Sequence, residues 1–415
     1  MWNWRRSLIA ACLTLGVVTL PARAQTANQR DRDPSIAAQS ALFSELQNAT
    51  LHHGSFYLRS RIELSDLGAN EDFSAPTADQ TAGLTFGIQA PQQLYYVPVK
   101  KVILAARVTP AYSFFQRDGL HGQGGYEVRG DAHFLLNHLY LDPYYSKANQ
   151  LRANIGELNS VYTSNQSTAG LNSEFKYSSR TSVTFAGSYS TITYPTSRVQ
   201  PVDQPITLLN TRARSGRVAL RHKTFPLTSL SLIGDVRRYT FGNAPDKDSR
   251  REFVGAGISF DNSRSNLSLE AGYGRLVFVT PGVKGFKGVL GSATLGRRVN
   301  PRWSLTASGL RDTSFSIYGP NNYYVTDLAS LGIQYSATRR LILSARSDVG
   351  RDSYYLPFEG VLRTDQFSYT SIGWLYNLRR IHAGFDVGYY RRVSNAPSFV
   401  PRNGIRTVVH LSLIP

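Results

Sequence analysis

The sequence predicts an all-β chain: a single closed antiparallel transmembrane β-barrel of about eighteen strands, with sixteen as the alternative count. Three observations predict it. From Ser55 onward, segments alternate apolar and polar side chains, the period of a strand with one greasy and one wet face. The connectors between those segments alternate short and long. Aromatic residues sit on the apolar face, near both ends of the segments.

The N-terminus reads as an export signal. Arg5 and Arg6 precede the apolar run 8–20, and Ala22-Arg23-Ala24 is a small-x-small cleavage pattern, which sets a signal peptide at 1–24. The run is too short to span a bilayer as a helix. A lipoprotein reading at Cys12 is the alternative, but it would leave most of that run on the mature chain. Cys12 and Met1, each the only one of its kind, leave with the signal, so the mature chain has no thiolate chemistry. Residues 25–54 are polar and lack strand alternation. Asp33-Pro34 is a helix start, and Ile36, Leu42, Phe43 and Leu46 give a weak apolar face, so this part is expected to be a periplasmic arm or short helix. A plug inside the lumen is the less favoured alternative.

The barrel is expected over 55–415. Its strands fall at 55–65, 81–90, 101–114, 126–137, 150–159, 170–178, 181–192, 212–222, 229–240, 252–261, 266–277, 287–297, 302–312, 325–336, 340–350, 365–377, 380–391 and 404–414. In one of them Val183, Phe185 and Tyr189 oppose Thr184, Ser188 and Ser190. An even count puts both termini on one side, expected to be periplasmic. Ser178–Arg180, Asn262–Ser265, Arg298–Pro301, Ser336–Arg339 and Asn377–Arg379 are tight turns. The connectors 194–211, 241–251, 278–286, 313–324, 353–364 and 392–403 are long and rich in Pro, Gly, Asn and Asp. Short periplasmic turns and long outer loops are what a barrel inserted from inside shows. A propeller has no reason for that alternation.

Tyr177, Phe260, Trp303, Tyr335, Trp374 and Tyr376 fall at outward positions beside short turns, and Tyr189, Tyr273 and Tyr389 nearer the long loops. These make two candidate interface girdles; the plain alternative is that aromatics favour strands anyway. Closure itself follows from lipid, which offers no partner to a backbone N–H or C=O at a sheet edge. A barrel this wide cannot be filled by side chains. Small inward residues such as Gly255, Gly257, Ser292 and Ser330 would narrow it little.

The precursor carries +18 at pH 7. For an exported chain, nucleic acid is a poor partner, and anionic lipid head groups and acidic solutes are better ones. By the alternation, Arg59, Arg61, Arg129, Arg217, Arg221, Arg237, Arg346 and Arg406 point inward, as do Glu63, Glu127, Asp131, Glu270, Asp348 and Asp386. The lumen is thus mixed and slightly positive, modestly favouring anions as a set; cross-strand pairing is the structural alternative for each single residue. More arginines crowd the short turns, where they can meet phospholipid head groups. No catalytic residue, cofactor or metal site is selected. His133 shares a face with Asp131 without a defined nucleophile, and His52-His53 face opposite ways on a strand.

In strand texture, as in the run 339–345 and in Ile381-His382-Ala383-Gly384-Phe385-Asp386-Val387-Gly388-Tyr389, the chain resembles Gram-negative outer-membrane β-barrels over roughly 55–415. In particular it looks like the porin-type barrels found beside exopolysaccharide export systems. The resemblance implies an outer-membrane location and recognition by the barrel-insertion machinery. The chain departs from the class at its end, where Leu413-Ile414-Pro415 stands instead of a terminal aromatic residue. Three readings follow: a channel for passive diffusion of small hydrophilic solutes, a conduit for a secreted polysaccharide, and a non-transporting adhesin, receptor or envelope scaffold. Connector 194–211 is the first candidate for a loop folded inward. An apolar outward face suits lipid and a second copy alike, so the pattern fixes no oligomeric state.

Overall fold

The computed structural model describes residues 36–47, 49–72, 83–115, 122–155, 158–195, 206–318, 321–358, 360–378, 380–396, 399 and 401–413. The expected signal peptide lies outside the described residues. The elements are α1 (Ile36–Gln47), β1 (Leu51–His53), β2 (Phe56–Ser60), β3 (Ile62–Asp72), β4 (Gly83–Gln89), β5 (Gln92–Val99), β6 (Val102–Phe115), β7 (Gln123–Leu135), β8 (Leu139–Ile155), β9 (Leu158–Lys176), β10 (Thr181–Thr193), β11 (Thr211–Phe225), β12 (Thr228–Phe241), β13 (Ser249–Asp261), β14 (Ser265–Phe278), β15 (Phe286–Arg298), β16 (Trp303–Phe315), β17 (Tyr323–Ser336), β18 (Leu341–Phe358), β19 (Val361–Asn377), β20 (Ile381–Ser394) and β21 (Arg402–Leu413).

These make an 18-strand closed antiparallel barrel. β2 and β3 are one wall strand interrupted at Arg61, β4 and β5 are another interrupted at Ala90-Pro91, and β1 is a flap on β2. The second break has a cause. Pro91 has no N–H to give a ladder. Pairing continues around it, with Arg61 N–H donating to the Pro91 carbonyl at 3.1 Å and Ala90 N–H to the Pro110 carbonyl at 3.0 Å. The wall closes where β21 pairs with β3, from Leu413–Ile62 to Gly404–Asp72.

Every second side chain faces lipid, so large apolar residues are exposed as the pattern requires. On β10, Val183, Phe185 and Tyr189 are exposed, whereas Ser182, Thr184 and Ala186 are buried. Val254 is 71 % exposed and Ile372 65 %; on a soluble protein, a band of such residues would be an aggregation surface.

The expected strands map one to one onto the wall, with corrections at their ends. The strand expected at 150–159 straddles the hairpin tip between β8 and β9; the real strand begins at Leu139, because polar Asp142 and Ser146 face the lumen and do not break it. Connector 353–364 is mostly strand as well. It turns at Gly360, whose φ of 79° is open to glycine.

Four short turns repeat one device. The side-chain oxygen of Asn262 accepts from Arg264 and Ser265 N–H at 2.7 and 2.6 Å. Asn300 does the same for Arg302 and Trp303, Thr338 for Arg340 and Leu341, and Ser178 for Arg180 and Thr181. Asn, Ser and Thr mimic a backbone turn in this way.

Candidate functional site: the barrel lumen

At the short-turn end, α1 packs on the inner wall. Leu42 and Leu46 are buried against Tyr95 and Ile103, with Tyr57, Val97, Ala105 and Leu135 around them. The Tyr95 hydroxyl donates to Glu45 Oε2 at 2.5 Å. Those wall residues share the inward face, so the helix sits at the mouth of the lumen and does not hang free. Phe43, expected on its apolar face, points away and is 45 % exposed. Gly54, with φ of 58°, makes the turn that brings β1 onto β2 just after it.

The fourteen sequence-selected charges share the strand face opposite the exposed apolar residues, and the structure brings most of them into pairs. Arg61 meets Glu63 at 3.6 Å, and Gln89 donates to Glu63. Arg129 bonds Asp131 at 2.6 Å and lies 4.6 Å from the Tyr144 ring centre. Gln150 donates to Glu127, Arg346 to Asp348, and Tyr369 to Asp386. Arg217 reaches Glu270 at 2.7 Å, from β11 to β14. Arg237 lies beside Asp235, Tyr239 and Asp312, and Arg406 beside Tyr369. Arg59 neighbours Arg61, Arg107 and Glu45, which makes a basic strip on β2, the break before β3, and β6, next to α1. Arg221 lines a recess at the short-turn end with Glu174, Lys176 and Lys223. His133 is 3.1 Å from Asp142 and bonds Tyr140, within a polar wall cluster that includes Asn172.

The wall from β11 to β15 differs. Ala219, Ile233, Phe253 and Leu290 are inward yet apolar, and Phe286 packs on them. The inward glycines do not widen the lumen, as the sequence suggested. A Cβ at Gly255 would stand 2.6 Å from the Phe253 ring, and one at Gly274 would stand 2.3 Å from Leu290. They are the floor on which these side chains lie.

At the long-loop end a hairpin tip folds onto the neighbouring connectors. The β15–β16 ladder stops at Gly291–Arg311, although β15 itself begins at Phe286. The β16–β17 ladder runs on to Phe315–Tyr323. Beyond Arg311 the two strands therefore leave the wall together. They lean inward, as their contacts show. Phe315 packs edge-on against Tyr239 and Phe241 at 4.8 and 4.7 Å. Tyr323 and Val325 are buried with Leu276 and Phe278. Ile317 is fully buried with Tyr194 and Leu209, on the far side of β11–β15. Connector 194–211, the expected inward loop, is thus the surface that receives the tip; its residues 196–205 lie outside the described residues.

Polar groups fix the tip. Arg251 bonds Asp312 at 2.7 Å. The buried Lys247 ammonium donates to Asn322 Oδ1 at 3.2 Å, and Asn322 Nδ2 donates to the Asp246 carbonyl. Asn321 exchanges two hydrogen bonds with the Leu356 backbone. Beside it, Arg363 forks onto Asp365 at 2.6 and 2.9 Å, and Arg392 bridges Asp365 and Asp352 at 2.7 and 2.9 Å. The Phe399 ring centre lies 3.5 Å from the Arg363 guanidinium carbon. None of these residues was selected from sequence. The available signal was alternation that runs past the expected strand ends, since Asp352, Tyr354, Arg363 and Arg392 keep the inward parity of their strands, as does Asp365 at the start of its own.

The aromatic residues expected at the interfaces share the strand parity of the exposed apolar residues. The Trp303 and Tyr335 rings lie tilted with their centres 4.6 Å apart beside a short turn, and Tyr177 is 78 % exposed. Tyr189, Tyr273 and Tyr389 are exposed nearer the long loops. No group of metal-ligating residues occurs among the described residues.

No protein-family model matches the chain, and no curated protein does. Solved structures do match in fold. Pseudomonas aeruginosa OccK2 (OpdF) in complex with glucuronate aligns at a TM-score of 0.51 with 11% identity, covering 86% of this chain and 98% of that one. Pseudomonas aeruginosa OpdK with vanillate gives 0.51 and 12%, with the same coverage of 86% and 98%. Acinetobacter baumannii OccAB2 gives 0.50 and 12%, over 87% and 99%. The shared property is the barrel of outer-membrane channels of the Occ/Opd group. The narrower resemblance to exopolysaccharide-export barrels finds no support in these likenesses.

Proposed function

We propose that the chain is an outer-membrane channel through which small hydrophilic solutes diffuse passively, with a weak preference for anions. The observation that carries this reading is the lumen itself: a closed wall, lined by paired charges, narrowed at one end by a hairpin tip folded into it. Selectivity in such a passage comes from its width and its fixed charges and needs no catalytic residue. The short turns face the periplasm and the long connectors face outward, as in barrels of this class. The exposed aromatic rings at both ends are the interface girdles.

The anion preference rests on the basic strip of Arg59, Arg61 and Arg107, where three guanidinium groups share two acids, Glu45 and Glu63. Arg129, Arg217 and Arg346 each have an acid of their own within bonding distance, which offsets their long-range field. Two of the similar structures hold carboxylates, glucuronate and vanillate, and the strip suits a carboxylate. Connectors 194–211, 241–251 and 313–324 support transport over recognition, because their described residues pack on one another instead of standing apart.

The test is conductance of the refolded chain in a planar bilayer under a salt gradient. Ohmic steps with a reversal potential of anion-selective sign are expected, and Arg59→Gln with Arg61→Gln should move that potential toward zero. Folded, inserted protein that never conducts would overturn the channel reading.

A further inference from the structure

The outward face carries a feature that the lumen does not explain. Two neighbouring rungs cross the wall from β14 to β20. The upper contains Gly291, Arg311, Asp327, Arg351 and Gln366; the lower contains Ala293, Gly309, Ala329, Val349, Ser368 and Arg391. Together they line a groove of about 1050 Å³. Its upper edge is the notch left where β16 and β17 lean into the mouth and the β15–β16 ladder ends. Asp327 lies between two arginines, at 2.6 Å from Arg311 and 3.3 Å from Arg351, and both arginine side chains stay about half exposed, at 45% and 55%. Arg391 is exposed on the lower rung. Farther along the same rim, Arg250 and Arg275 flank a single Glu252. Outward-facing cations therefore outnumber acids along this edge.

Height places the row. Trp303 marks the short-turn interface, and eight residues separate it from Arg311. At a rise of ~3.3 Å per residue and a tilt of ~40° they climb roughly 20 Å, close to the top of an apolar band of about 25 Å. The arginines thus stand at head-group level of the outer leaflet, and the groove of small side chains lies just below, among acyl chains.

We propose that this groove binds a phosphorylated, acylated glycolipid of the outer leaflet, with its phosphates on Arg311, Arg351 and Arg391 and one acyl chain along Ala293, Gly309 and Ala329. The inference rests on the outer-membrane reading. Charge complementarity selects the occupant. Anionic phosphate above and hydrocarbon below reproduce the order of features on the wall. A second copy packed on the same face would set arginine rows against each other, and like charges at close range repel.

The test uses the mature chain folded in detergent, titrated with diphosphorylated lipid A and, separately, with phosphatidylethanolamine, and read by native mass spectrometry. Lipid A adducts are expected to persist at an activation energy that strips phosphatidylethanolamine. Arg311→Gln, Arg351→Gln and Arg391→Gln combined should lower lipid A occupancy by about tenfold or more. Arg264→Gln, Arg298→Gln and Arg340→Gln at the short turns should leave it unchanged. Gly309→Leu tests the acyl path, because a Cβ there meets nothing closer than 3.9 Å, and it should weaken retention without unfolding the wall. Equal retention of both lipids, equal loss in both triple variants, or a dimer in place of the adduct would overturn the proposal. Conductance in a bilayer free of lipid A separates the two readings. A triple arginine variant that holds lipid A as tightly as the parent and still conducts sinks only the groove, whereas selective lipid A retention without conductance sinks only the channel.

Discussion

The two ends of this barrel are built by different rules. The short-turn end is local: four of its turns are each closed by one Asn, Ser or Thr oxygen on the next N–H groups, and each works without its neighbours. The long-loop end is collective. Ile317, Tyr194, Leu209, Lys247, Asn322 and the Arg363–Asp365–Arg392 network come from connectors far apart in sequence and bury one another, as in the core of a soluble domain. The difference teaches where a barrel can narrow itself. A wall that spans lipid has no freedom to change its strands, so the passage is shaped by what folds into the mouth, and only long connectors can fold there.

The largest expected effect removes that collective part. Replacing residues 316–322 by two glycines should raise single-channel conductance by about a factor of two or more, because the tip no longer crosses the mouth. Unchanged conductance in folded protein would mean that the narrowing lies elsewhere, and the contrast between the ends would lose its functional meaning. A smaller effect tests the buried network. Arg392→Met strands Asp352 and Asp365 without their shared cation, and losing one member of a buried ion pair costs about 3–5 kcal/mol. Urea unfolding of the refolded barrel should show that loss, along with noisier current as the tip loosens. The smallest effect belongs to the other end. Asn262→Ala removes two hydrogen bonds at an exposed turn and should cost about 1 kcal/mol, with conductance unchanged. A turn variant that alters conductance as strongly as the tip deletion would erase the distinction.

The same division explains what was legible in the sequence. The wall was legible, because lipid on one side and lumen on the other impose a period of two that every strand must obey. That is why Arg129, Asp348 and Asp386 could be placed on the inner face, and Trp303 and Tyr389 on the outer, with no structure. The short turns were legible because Asn262 or Ser178 acts within three residues of itself. The mouth was not. Nothing in Ser316-Ile317-Tyr318 announces a contact with Leu209, since that contact depends on how two strands leave the wall at Arg311. The α1 helix was legible but its seat was not, because the partners of Leu42 and Leu46 lie on β5 and β6. Gly255 and Gly257 were read as space, when each is overlain by a neighbour's side chain, Phe253 at the first and Ser231 and Ile233 at the second.

The seam where β21 meets β3 carries a further consequence, for assembly order. It joins the last strand to the first, so it closes only after every intervening strand has paired, and it carries a register irregularity between Val409 and Leu411. The adjoining β3–β4 ladder has another between Ser65 and Gly68. Until that closure the growing sheet has two raw edges, one at each end of the polypeptide, and each must be shielded from every other open edge it meets. A chain of this design is safest when its first strand is held waiting for its last.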